Sequence, residues 1–262
     1  MAIRNILIAT PTMGGVMKSR TTTALVALTR ALTKAGLEVE FWNIDASDIV
    51  YARNRYAQLV LDSPALDAVL FIDSDMWFRP RLVLRMLEMG TEVAATAYPK
   101  RAIDMERVSN ALLAGDTLGK AMAKGSDFTI MPNWDARQKP RMRLRKGFAS
   151  MAAAGMGCAL ITKTALLSMI DAGVVEKQVH MLEGKAQHYW SFFNPVPVDD
   201  MMLSEDYSFW WRWTKLMKRE LWVCVDEHVE HIGSYSFAAK YGDILSLTPT
   251  DTVSPSELAK PI

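Results

Sequence analysis

The feature that most constrains this chain is an alternation. Through the first hundred residues, short apolar runs take turns with longer stretches whose apolar residues recur at helical spacing. Strand and helix in strict succession pack as a largely parallel sheet covered by helices. Residues 4–9 read as a buried strand, 11–15 as a turn with two glycines, and 19–35 as a helix ending at Gly36. A second strand follows at 37–42. Ser47 or Asp48 can cap a helix running to about Leu61, which Ser63-Pro64 breaks. Residues 68–72 contain no polar side chain, as expected of a strand covered on both faces. Pro80 opens another helix, and 92–97 supply a fourth strand. The expected class is α/β, an open, mostly parallel, Rossmann-like sheet flanked by helices.

Periodicity weakens over residues 100–146, which read as an insertion or mobile region containing the basic stretch Arg141-Met142-Arg143-Leu144-Arg145-Lys146. A solvated strand edge explains that stretch best, with an anionic partner as the lesser reading. Regular structure resumes at 148–162 as an alanine- and glycine-rich strand pair, then a helix to Asp171. An aromatic run at 187–193 precedes an amphipathic helix over 203–217, with Ser204 as its cap, and a last strand at 221–225. Most of these aromatics belong to the core, because strand and helix spacing accounts for them. The polar stretch beyond Phe237 reads as surface wrapping or partial disorder.

Thirty basic residues against 29 acidic ones leave a net charge of +1, so no global field recruits nucleic acid. Cys158 and Cys224 lie in apolar stretches and read as buried free thiols. No run approaches the length of a membrane helix. The expectation is a cytoplasmic protein without a transmembrane segment, for which peripheral membrane contact stays open.

Chemistry enters at Asp73-Ser74-Asp75, directly after the apolar run Val69-Leu70-Phe71-Ile72. Open parallel sheets bind ligands beyond the carboxyl ends of their strands. Two carboxylates there offer hard oxygens to Mg²⁺ or Mn²⁺, and such an ion neutralises a diphosphate and makes it a better leaving group. Three further features follow in order: Ala154-Gly155-Met156-Gly157, Ser204-Glu205-Asp206 and His231-Ile232-Gly233.

In these four marks the chain resembles the GT-A glycosyltransferases of the nucleotide-diphospho-sugar transferase fold, family 2-like members among them, over roughly residues 3 to 235. The resemblance implies one catalytic domain over residues 1–240, with a nucleotide-binding half (1–100), an acceptor half (101–240) and a tail (241–262). It implies Asp73, Asp75 and His231 as metal ligands, with His228 competing for the last place. Asp206 becomes the base that activates the acceptor hydroxyl, with Glu205 as alternative or acceptor contact. The donor is a UDP- or GDP-linked sugar; the acceptor is a glycan, a lipid-linked group or another hydroxyl compound. Thr10, Pro11 and Thr12 would border the base and ribose of the donor. Ser74, Arg53, Asn54 and Lys100 stand on the same rim, where ordinary surface polarity explains the last three equally. Gly155 and Gly157 would let backbone N–H groups approach a sugar or phosphate; tight strand packing is the rival explanation.

Two other classes compete. Haloacid dehalogenase-like phosphohydrolases also place Asp-x-Asp after an apolar strand, and Val198-Asp199-Asp200 imitates their second acidic motif, but Asp75 is followed by Met76-Trp77 where that chemistry wants Thr or Val. A non-catalytic sugar-nucleotide-binding domain is the third.

Overall fold

The computed structural model describes residues 3–134, 139–182 and 185–245. The chain begins β1 (Asn5–Thr12), α1 (Ser19–Lys34), β2 (Glu38–Asp45), α2 (Ile49–Asp62), β3 (Ala68–Ile72), β4 (Met76–Phe78), α3 (Arg81–Glu88) and β5 (Val93–Thr96). An inserted unit follows: β6 (Pro99–Ile103), α4 (Met105–Leu113), α5 (Leu118–Gly125), β7 (Ser126–Phe128), β8 (Ile130–Pro132) and β9 (Leu144–Arg145). Then come β10 (Phe148–Ala154), β11 (Cys158–Thr162), α6 (Lys163–Asp171), the hairpin β12 (Lys177–Leu182) and β13 (Lys185–Trp190), and the short pair β14 (Pro197–Val198) and β15 (Met201–Met202). Helix α7 (Glu205–Trp211) runs on into a π-helical turn over Arg212–Leu216, before β16 (Leu221–Cys224), β17 (Val229–Ile232) and β18 (Ser236–Ala239).

Among the described residues the main sheet has nine strands in the order β2-β1-β3-β11-β5-β16-β10-β8, with β9 also on β10. The class is α/β, but the pairing is mixed and not mostly parallel. Only β1 with β2, β1 with β3, and β5 with β16 pair in parallel. The alanine-rich pair is the reason: β11 inserts antiparallel between β3 and β5, and β10 runs antiparallel to β16. Because β11 sits between two strands of the first hundred residues, the sheet has no seam at residue 100.

The unbroken apolar runs are explained by two cores. Leu7, Ala9, Val69, Phe71, Val93 and Ala95 face one, with α2, α6 and α7; Ile6, Ile8, Leu70, Ile72 and Ala94 face the other, with α1 and α3. Side chains alternate across a strand, so a strand covered on both sides must be apolar at every position. Alanines in β10 leave room for Phe209, Trp210 and Trp213 of the α7 segment, all buried in the first core. Phe193 stacks on Phe209 with ring centroids 4.9 Å apart. Cys158 and Cys224 are buried free thiols.

Asp48, and not Ser47, caps α2 by accepting from the N–H groups of Val50 and Tyr51. The 100–146 region carries regular elements at its described residues, with α4 and α5 packed on a small core of Val108, Ala111 and Ala121. Arg141, Arg143, Arg145 and Lys146 are exposed on or beside the edge strand β9. The chain beyond Phe237 is structured as far as 245, since β18 pairs with β17 and Gly242 N–H donates to Val225 C=O at 2.5 Å. The rest of the expected tail, 246–262, lies outside the described residues. Among those described, no helix is long and apolar enough to cross a membrane.

Candidate functional site

Strand β1 continues past its last register with β3, Ala9 opposite Phe71, and pairs only with β2 through Thr12. Pro11 has no N–H to give that ladder. The Tyr56 hydroxyl fills in, donating to the carbonyls of Thr10 and Trp42 and accepting from Ile44 N–H at 2.6 Å. Thr10, Pro11 and Thr12 are all buried; Thr12 Oγ1 donates to Asn43, and Thr10 Oγ1 has no hydrogen-bond partner.

The chain leaves β3 in a turn that fixes both aspartates. Asp73 N–H donates to Gly157 C=O at 3.0 Å, and Ser74 C=O accepts from Lys18 N–H at 2.9 Å, pinning the start of α1 to the turn. Strand β4 then begins immediately, and it is what brings the histidine in: β17 pairs antiparallel with β4, His231 opposite Met76, and Asp75 C=O accepts from Ile232 N–H at 2.7 Å. His231 Nε2 lies 3.3 Å from Asp75 Oδ2. His228 is turned elsewhere, 3.7 Å from Glu230. Arg20 of α1 clamps the strand through both oxygens of Glu230, at 2.7 and 2.8 Å.

His231 Nδ1 is 3.1 Å from Pro99 C=O. A carbonyl only accepts, so Nδ1 carries a proton and Nε2 is the nitrogen that faces Asp75. Carboxylate oxygen and imidazole nitrogen facing one point are a donor pair that suits Mn²⁺, which accepts both. Asp73 does not join them. Among the described residues no three His, Cys, Asp or Glu side chains group as a metal cluster, because the Asp73 carboxylate turns to Arg53 Nη2 at 3.1 Å. Asp75 and His231 thus bring two donors to one point, with the Asp73 carboxylate turned to Arg53.

Arg53 is the electrostatic centre of the other half of the site. Its side chain is 3% exposed, with Glu205 Oε1 3.5 Å from Nε and the Phe71 ring beneath the guanidinium. Burial opposes its charge, yet Asp73 and then Glu205 more than offset this and raise its pKa. Nη1 has no hydrogen-bond partner. At Glu205 the balance reverses: burial first, then Asp206, lift the carboxyl above the ordinary glutamate range despite Arg53. The two shifts describe one ion pair in which Glu205 has the less favourable surroundings. A raised pKa in the fold means stability that is full below the unfolded glutamate value and is lost as pH rises through the folded one. Urea denaturation from pH 4 to 8 should therefore show wild type losing stability relative to Glu205→Gln as pH rises, with the difference smallest toward pH 4.

Asp206 Oδ1 accepts from Tyr207 N–H at 2.7 Å and from Ser204 Oγ. Ser204 holds the N-cap position, but its hydroxyl serves Asp206 and no helix N–H. Both bonds fall on Oδ1 and fix the orientation of the carboxylate.

The glycine loop has a cause other than ligand approach. A Cβ on Gly155 would stand 2.2 Å from Tyr98 Oη, and one on Gly157 2.8 Å from the same ring. Tyr98, at the end of β5, is buried, accepts from Gly157 N–H at 3.0 Å and meets the His231 ring edge-on at 5.4 Å. Burial, then Asp73 and Asp206, push its phenol far above the ordinary value, so it stays neutral. Gly157→Ala should cost about 2 kcal/mol in a denaturant titration, the cost of overpacking against a ring that cannot retreat.

Asn54 is also occupied: its Nδ2 donates to Asn194 Oδ1 at 2.7 Å and its Oδ1 accepts from Phe193 N–H at 2.9 Å. Lys100 is exposed, and its neighbour Arg101 makes the contact instead, 3.2 Å from Asp75 Oδ2. Strand alternation in Pro99-Lys100-Arg101 was the available signal, since it sends the two cations to opposite faces. Asp199 and Asp200 form the exposed turn between β14 and β15.

No family model and no curated protein matches the chain. Among solved structures, the crystal structure of A197 from STIV aligns over 88% of this chain and 86% of that one, at 13% identity and a TM-score of 0.45. A likeness that loose carries no argument about this site.

Proposed function

We propose that the protein is a metal-dependent glycosyltransferase of the GT-A type, moving a sugar from a UDP- or GDP-linked donor to a hydroxyl acceptor, either a glycan or a lipid-linked compound. The observation that carries this reading is the pairing of Asp75 with a histidine whose other nitrogen is anchored on Pro99, beside Asp73, Arg53, Glu205 and Asp206. Bound there, Mn²⁺ or Mg²⁺ would neutralise charge on the departing diphosphate. Asp75 and His231 would hold the ion. Arg53 keeps the Asp73 carboxylate and Glu205 in place. Asp206 would take the proton of the acceptor hydroxyl as its oxygen bonds the anomeric carbon and the nucleoside diphosphate leaves, which inverts that carbon. Glu205 is the alternative base. Ser74 would border the donor side, while Thr10, Pro11 and Thr12, all buried, would support it without touching the donor.

A panel of UDP- and GDP-sugars with Mn²⁺, scored by donor hydrolysis, tests the reading. Asp206→Asn should lower turnover at least about 100-fold with donor affinity retained. Donor binding without hydrolysis or transfer by the wild type would instead support the binding-module reading.

A further inference from the structure

We infer that Arg101 is a displaceable counter-ion, which makes cation binding at Asp75 conditional on a diphosphate; the inference rests on the metal-and-diphosphate reading above. One oxygen, Asp75 Oδ2, is approached by both Arg101 Nη1 at 3.2 Å and His231 Nε2 at 3.3 Å. A divalent ion at that oxygen and a guanidinium beside it repel each other. One of the two neighbours must give way.

His231 is fixed: its side chain is 15% exposed, it belongs to a strand paired on both sides, and its Nδ1 is held by Pro99. Arg101 is 54% exposed, so its head group is the one that can swing away. Its stem stays put. Arg101 Cδ lies 3.1 Å from where a Gly233 Cβ would stand, so the stem runs close over that glycine, and Arg101 sits two residues after Pro99 on β6. A displaced guanidinium therefore remains at the rim of the site, where a diphosphate held by the ion offers it a charge-assisted contact. Metal alone must break the Arg101–Asp75 pair with nothing in return. Metal arriving with a diphosphate exchanges one partner of Arg101 for another, and that difference is a coupling between the two ligands.

The test compares wild type, Arg101→Ala and Arg101→Lys by Mn²⁺ electron paramagnetic resonance titration, with and without UDP or GDP and without any turnover. Arg101→Ala should tighten Mn²⁺ alone about fivefold, because the competing cation is gone, and weaken Mn²⁺-dependent nucleotide binding about tenfold. Arg101→Lys should fall between the two on both scales. Effects of opposite sign are the signature, since general damage weakens both. Unchanged or weaker Mn²⁺ binding by Arg101→Ala overturns the inference. Failure of the functional reading shows separately: wild type that binds neither nucleotide at saturating Mn²⁺ overturns the transferase proposal, while the Mn²⁺-only comparison still decides whether Arg101 is a counter-ion.

Discussion

Asp75→Asn is expected to abolish detectable Mn²⁺ binding and to lower sugar transfer by at least about a thousandfold. The substitution keeps shape and removes charge. His231 Nε2 and Arg101 both converge on Oδ2 of this residue, so an amide there leaves the histidine without the anionic partner needed to hold a divalent ion. Folding should survive, because the Arg101 contact is a surface ion pair worth about 1 kcal/mol or less. Asp73→Asn should show the opposite balance, costing more stability and less metal affinity, since that carboxylate neutralises buried Arg53. Titrating both variants with Mn²⁺ and with urea separates the two roles. Equal losses of metal affinity would mean that both aspartates ligate.

Arg53→Met should destabilise the protein by about 3 kcal/mol, near the lower end for breaking a buried pair. The methionine fills much of the same volume above Phe71, so the cost comes from charge. Asp73 and Glu205 are left facing each other and Asp206 with no cation between them. Their side chains are 27% and 19% exposed, and water offsets part of that cost, which is why the lower end applies. The melting temperature should fall by roughly 5 to 10 °C for a domain of this size. Adding Glu205→Gln to Arg53→Met should recover part of the loss, because one of the stranded charges is gone. A double variant no more stable than Arg53→Met would put the role of Arg53 in packing.

Strands β1, β2, β3 and β5 of the main sheet were legible because each carries its own signal, an apolar or alternating run of strand length. Directions were not, because β11 reads the same whichever way it runs. β10 and β11 run the same way, both against β5 and β16, and the three-residue link between them, with the Tyr98 ring packed against both its glycines, shifts the chain across the sheet without turning it back. The two ends of the site show the same contrast. Asp73-Ser74-Asp75 was visible as a strand end, but its division of labour was not: β4 is three residues long, too short for a periodic signal, and only its pairing with β17 brings His231 to Asp75 and leaves Asp73 to Arg53. Arg53 itself looked like half of a polar helix face. Its burial follows from α2 lying on the sheet with Ala52, Tyr56 and Ala57, a long-range fact that helical spacing alone does not carry.

The most direct measurement is isothermal titration of UDP and GDP into the wild-type protein with and without Mn²⁺. The expected result is binding of one of them, strong with Mn²⁺ and weak without it, and for Asp75→Asn no stronger with Mn²⁺ than without. No heat with either nucleotide, or equal affinity with and without metal, would contradict a metal-dependent nucleotide-sugar transferase.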